Sequence, residues 1–216
     1  MIELASIAQA VSVLGACWAI ISGIGAWKRE FIGKRQIELA EQVLAKFFEI
    51  RDAITFIRNP FSDKGEGSTR QRGDHETPEQ TQLLDRGYIV IERYGQKEAA
   101  FAEFNTLKYR FMASFGVQTE EIFTETNLMM NSIFTSARML AHHYWQHQGR
   151  VQMEGDEFQR HLDEMHRHEG IFWDIGSETD EIRTKLNYIQ VKLDAAVKPC
   201  FQESASTYSI FTKKWF

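Results

Sequence analysis

The stretch LASIAQAVSVLGACWAIISGIGAW, residues Leu4 to Trp27, carries no charged side chain. As an α-helix rising about 1.5 Å per residue, it is long enough to cross the roughly 30 Å hydrocarbon core of a bilayer with some tilt. It lacks the basic start and the small-residue cleavage site of a secretory signal peptide. The expectation is a retained transmembrane anchor over residues 1–27. Its flanks set a direction. Glu3 precedes the span, and Lys28, Arg29, Lys34 and Arg35 follow it. Basic residues stay on the cytoplasmic side, so the N-terminus is expected outside and the main domain inside. Trp27, Lys28 and Arg29 are the expected interfacial anchors, and membrane lipid is the first expected partner.

The same stretch holds two stripes. Ala8, Ser12, Gly15, Ala19, Ser22 and Ala26 recur at alternating steps of four and three, which places them on one helix face. Leu4, Ile7, Val11, Leu14, Trp18 and Ile21 form another. Small residues let membrane helices approach closely, and close approach drives their association where no hydrophobic force acts between them. The six small residues are therefore the expected oligomer interface, in a homo-oligomer.

Beyond the anchor, residues 28–58 continue as a stalk helix. Val43, Phe47, Ile50, Ile54 and Ile57 make an apolar stripe at steps of four and three. Gly33 is the expected place for a bend. Asn59-Pro60 stops the helix. Residues 59–81 are polar and Gly-rich, and are expected to form a flexible, solvated loop. Residues 82–216 then read as a helical bundle that the stalk completes. Ala100, Phe104, Leu107 and Phe111 share a face, and Gly116 closes that helix. Thr119 is the expected N-cap of the next, whose stripe runs Ile122, Thr126, Met129, Ile133, Ser136, Leu140, His143, His147. A short helix over Asp156 to His168 and a last one from Ser177, bounded by Pro199, complete the set. The tail Ile210 to Phe216 fits either a membrane-surface contact or a packed terminus. The fold class is all-α, with one N-terminal transmembrane helix and a bundle of four to five helices.

The bulk numbers agree. A net charge of −5 with interspersed signs argues against a general nucleic-acid surface, so DNA is not an expected partner. The 3 prolines are few, as suits long helices. Cys17 and Cys200 fall in different phases, so no disulfide is expected. Mean hydropathy is −0.38, the value of one apolar span diluted by a polar remainder.

Chemistry is sparser. His142, His143, His147, His161, His166 and His168 cluster late in the chain. His143 and His147 share a helix face, but Tyr, Trp and Gln lie between them and no base carboxylate does. No metal site and no cofactor is expected. No serine or cysteine sits in a nucleophile motif. The remaining motif is Arg138-Met-Leu-Ala-His-His143. Its Arg-x4-His spacing, late in a long helix of an all-α bundle, resembles the signature of HEPN domains. The layout also looks like the small membrane-anchored HEPN-like accessory proteins of RNA-targeting CRISPR systems. That resemblance implies metal-independent RNA cleavage across a dimer. His143 would act as acid-base on the ribose 2′-hydroxyl and Arg138 would stabilise the phosphate. It also implies a bacterial inner-membrane setting in phage defence.

Three functions follow as expectations. The first is a single-pass, self-associating membrane protein that perturbs or perforates the bilayer, as an effector or accessory of bacterial defence. The second is a membrane-tethered HEPN-like ribonuclease acting through Arg138 and His143, with RNA as substrate. The third is a membrane-tethered adaptor for a protein partner.

Overall fold

The protein is described from a computed structural model that covers residues 2–212, with the side chains of 2–11, 26 and 203–212 outside the description. Among the described residues every regular element is helical. The order is α1 (Ile2–Ile57), α2 (Pro78–Phe115), a 3-10 turn (Val117–Thr119), α3 (Glu120–Met139), a π turn (Leu140–Tyr144), α4 (Trp145–His147), α5 (Gly155–Phe172) and α6 (Glu181–Thr212). The chain forms two compact units. One comprises Met1–Glu41 with Val197–Phe216, the other Gln42–Ala196.

In the first unit, α1 is uninterrupted through Gly33. Among the described residues, no helix is long and apolar enough to cross a membrane. The expected span begins at Leu4, and Leu4–Val11 lie outside the described side chains. What remains from Ser12 is shorter than the roughly 20 apolar residues a span needs. Cys17 and Cys200 are not joined by a disulfide. Pro199 lies inside α6 and does not bound it. A helix can carry a proline at the loss of one backbone bond and a clash one turn back. Of the tail Ile210 to Phe216, the first three residues end α6 with their side chains outside the description, and 213–216 lie outside the described residues.

The second unit is the bundle. The stalk stripe Val43, Phe47, Ile50, Ile54 and Ile57 is fully buried, as its spacing requires. Phe104 links two aromatic neighbours, at 6.5 Å from Phe47 and 4.6 Å from Phe123 between ring centroids. Phe111 extends the run, 6.1 Å from Phe123. Leu107 is only half-buried, at the edge of this face. Gly87 lets α2 approach the third helix closely. A Cβ there would meet the Ala141 Cβ at 2.5 Å and the Ala137 carbonyl at 3.0 Å.

Two buried arginines bind the ends of helices together. The Nε of Arg58 donates to the Ile171 carbonyl (2.9 Å), and Nη2 donates to the carbonyls of Gly170 (2.8 Å) and Trp173 (3.1 Å). These lie at the C-terminus of α5, where carbonyls lack helical donors. The same guanidinium grips Asp180 with both nitrogens, at 3.2 and 2.8 Å. Asp180 in turn accepts from the Arg183 backbone N–H (3.0 Å), so it is the N-cap of α6. Ser177, the expected start, lies in the preceding loop, its hydroxyl paired with Thr179. Burial pushes the Asp180 carboxyl up. The Arg58 guanidinium and the Arg183 and Ile182 N–H groups outweigh that and hold it below the usual range.

Arg93 does the same for α1. It donates to the carbonyls of Asn59 (2.6 Å) and Phe61 (2.7 Å), and pairs with Glu66 at 2.7 and 2.8 Å. The expected flexible loop is thereby pinned. Gly67 N–H and the Thr69 hydroxyl both donate to Glu92. Arg70 binds Glu76 and Asp85. The Arg70 guanidinium and the Gly73 N–H pull Glu76 down to about 2. The loop is also shorter than 59–81. Thr77 and Gln80 form a reciprocal capping box with Pro78 in the first turn, so α2 starts at Pro78.

Candidate functional site

Two regions hold the residues singled out from the sequence. The first is the exposed face of α1. Of the six small residues, Ser12, Gly15, Ala19 and Ser22 are exposed, while the side chains of Ala8 and Ala26 lie outside the description. The large apolar side chains beside them are exposed as well. Val13, Leu14, Trp18, Ile20, Ile21, Ile24 and Trp27 range from 56% to 73% accessible. An isolated helix gains nothing by presenting such a surface to water.

The second is the π turn. The apolar stripe of α3 keeps helical phase through Ile133, Ser136, Ala137, Leu140 and Ala141, all buried. The next buried position is Trp145, one residue late. The π turn inserts that extra residue, and the Trp145 N–H bonds back to the Leu140 carbonyl. The Gln146 side chain donates to the Ala141 carbonyl (2.9 Å), satisfying an acceptor inside the turn. Trp145 is fixed in its new phase by an indole N–H bond to Glu169 (2.8 Å) and by the Arg86 guanidinium over its ring.

This changes the reading of His143. On a regular helix it would join the buried stripe. Beyond the extra residue it rotates out and is exposed, as is His142. His143 instead meets other imidazoles. Its ring centroid lies 4.3 Å from His147 and 6.4 Å from His161. Tyr144 sits 5.3 Å from both His161 and His168. Partial burial, then the neighbouring His147 and His161, push the His143 pKa down. His168 is lowered by burial and by Arg167. An Arg167 N–H faces its Nε2 (3.3 Å), which must then accept. So Nδ1 carries the proton and donates to the Ser136 hydroxyl (3.0 Å). The Nε2 of His161 is buried with no partner.

Arg138 ends α3, exposed, and among the described residues it makes no hydrogen bond or ion pair. No contact joins it to His143. The π turn nevertheless narrows their separation in phase, because it adds a residue to the turn between them, whereas five residues of a regular α-helix overshoot one turn by about 140°. The second Arg-x4-His, Arg70 to His75, is different: its arginine is consumed by Glu76 and Asp85. Among the described residues no group of three or more His, Cys, Asp or Glu side chains is arranged to hold a metal ion. An open cleft beside His147 is lined by Thr77, Glu79, Gln80, Gln146 and Arg150.

Sequence reasoning found the histidines and Arg138 but missed Arg58, Arg93 and the π turn. Arg58 has acceptors more than 100 residues along the chain, at the end of α5 and at Asp180, so its neighbours in sequence carried no signal of that role. The chain matches no family model, no curated protein and no solved structure.

Proposed function

We propose that this chain is a single-pass, membrane-anchored helical protein that self-associates through its N-terminal helix. The observation that carries this reading is the run of exposed apolar side chains from Val13 to Trp27. Among the described residues nothing covers them, and lipid or other copies of the helix would. The uncharged stretch back to Leu4 and the basic residues after Trp27 give the span its length and direction, with the Gln42–Ala196 unit on the cytoplasmic side of a bacterial inner membrane. In such an assembly the small-residue face pairs helices, and the oligomer perturbs the bilayer or presents the bundle as a platform. The defence setting rests on resemblance of layout alone. Detergent-solubilised protein should run as a defined oligomer, and Gly15→Leu with Ala19→Leu should reduce it. A monomer at every protein concentration overturns the proposal.

A HEPN-like ribonuclease is the second reading, favoured by the π turn. The turn exposes His143 with a lowered pKa, fit for a general base, five residues after an exposed Arg138 that makes no ion pair among the described residues. Arg138→Ala and His143→Ala should each abolish RNA cleavage without unfolding the bundle. Cleavage unchanged in both rules this reading out.

A further inference from the structure

The residues that follow the apolar run have a geometry of their own. Trp27 and Phe31 stack at 5.7 Å between ring centroids, and the Arg35 guanidinium lies 4.7 Å above the Phe31 ring. The three occupy one stripe at steps of four. Side chains on a helix lean toward its N-terminus, so these rings and cations tilt back toward the apolar segment. Arg29 does so too, its guanidinium reaching Gly25.

The four cations do not share a face. At about 100° per residue, Lys28, Arg29, Lys34 and Arg35 stand at roughly 0°, 100°, 240° and 340° around the axis. Glu30, at roughly 200°, lies in the one wide gap. All four cations are exposed, and among the described residues none is in an ion pair. Lys28 to Arg35 rise about 10 Å, comparable with the headgroup layer on one side of a bilayer. A helix lying on a surface, or docked in a groove, would carry its charges on one side. A ring of charge around an aromatic belt instead matches a plane of negative charge that the helix passes through.

We infer that residues Trp27 to Arg35 form a collar that binds anionic phospholipid headgroups at the cytoplasmic surface. This inference rests on the membrane reading above. The aromatic rings set the depth, and the cations collect phosphate around the whole circumference. Glu30 weakens the collar on its side.

The test is flotation of the full chain, diluted from detergent, with vesicles of phosphatidylcholine alone or with phosphatidylserine at 30 mol% (roughly physiological in order of magnitude). Wild type should prefer the anionic vesicles, and the preference should fall as salt is raised. Each cation near such a surface is worth roughly fivefold in partitioning. The variant K28Q/R29Q/K34Q/R35Q should therefore lose about two to three orders of magnitude of preference while still floating with phosphatidylcholine vesicles. Glu30→Gln should move the preference the other way, by roughly fivefold. Equal flotation of wild type with both vesicles overturns the collar and leaves the membrane anchor standing. Failure to float with either overturns the anchor and the collar together.

Discussion

Arg58 and His161 are both polar and both buried in the Gln42–Ala196 unit, and their surroundings differ. Around Arg58 five hydrogen bonds converge, three to carbonyls at the end of α5 and two to Asp180. Around His161 there are rings, Tyr144 and His143, and its Nε2 has no partner. The first assembly is a joint: it satisfies helix ends that the fold would otherwise leave orphaned. The second is under-satisfied, lies beside the π turn, and opens to solvent at His143. A buried charge with matched partners specifies structure; a buried imidazole with an open nitrogen leaves chemistry available.

That contrast can be broken at several points. The largest effect is expected at the joint. Arg58→Met should destabilise the chain by about 3–5 kcal/mol in urea unfolding, because it strands the Asp180 carboxylate. Adding Asp180→Asn to Arg58→Met should recover part of the loss, since asparagine still caps α6 and carries no charge. If the double variant is the less stable of the two, the joint is not the charge pair described here.

Next in size is Gly87→Val. It forces α2 from Ala141 and the Ala137 carbonyl, and should cost about 1–3 kcal/mol by overpacking. If the π turn yields instead, the tryptophan fluorescence of Trp145 should change with little loss of stability.

The pH response is smaller and has opposite ends. His143 and His168 have folded pKa values below the ordinary 6.5, so the unfolded chain binds protons first. Stability should fall as pH drops below about 6.5, and level off beneath the folded values. His143→Gln with His168→Asn should flatten that limb of the urea-midpoint profile. Asp180 acts in the acid range. Its folded pKa lies below 3.8, so its contribution is complete above that value and is lost as pH falls through the folded pKa.

The smallest effect sharpens the comparison most. His161→Phe removes the orphan nitrogen and keeps a ring of similar shape, so stability should stay within about 1 kcal/mol of wild type or rise. A loss as large as that of Arg58→Met would mean that His161 has a partner in solution.

Much of the bundle could be read in advance, and particular residues show why. Val43, Phe47, Ile50, Ile54 and Ile57 have a helical period and all are buried. Gly116 ends α2 with φ of 99°, a conformation that favours glycine. Local period and backbone sterics are properties of a few consecutive residues. Thr119 stands at the N-cap position of α3, as expected, but its hydroxyl donates to the Gly116 carbonyl (2.7 Å) and makes no capping bond. Two local bonds compete there, and only the built turn shows which forms. The helix over Asp156 to His168 proves longer, Gly155–Phe172, because burial of Ile171 and Phe172 extends it.

Read alone, the order of residues is enough to make this protein helical, to place its long apolar faces, and to set four cations after its first uncharged stretch. Those follow from side-chain period and charge order, which need no partner. The remaining features exist only once the helices are packed. Arg58 and Arg93 reach acceptors far along the chain, and no local pattern announces a bond of that span. The π turn is one extra residue, set where Trp145 finds Glu169 and Gly87 admits Ala141. Packing across helices rewards that insertion, and it turns His143 from the core to the surface.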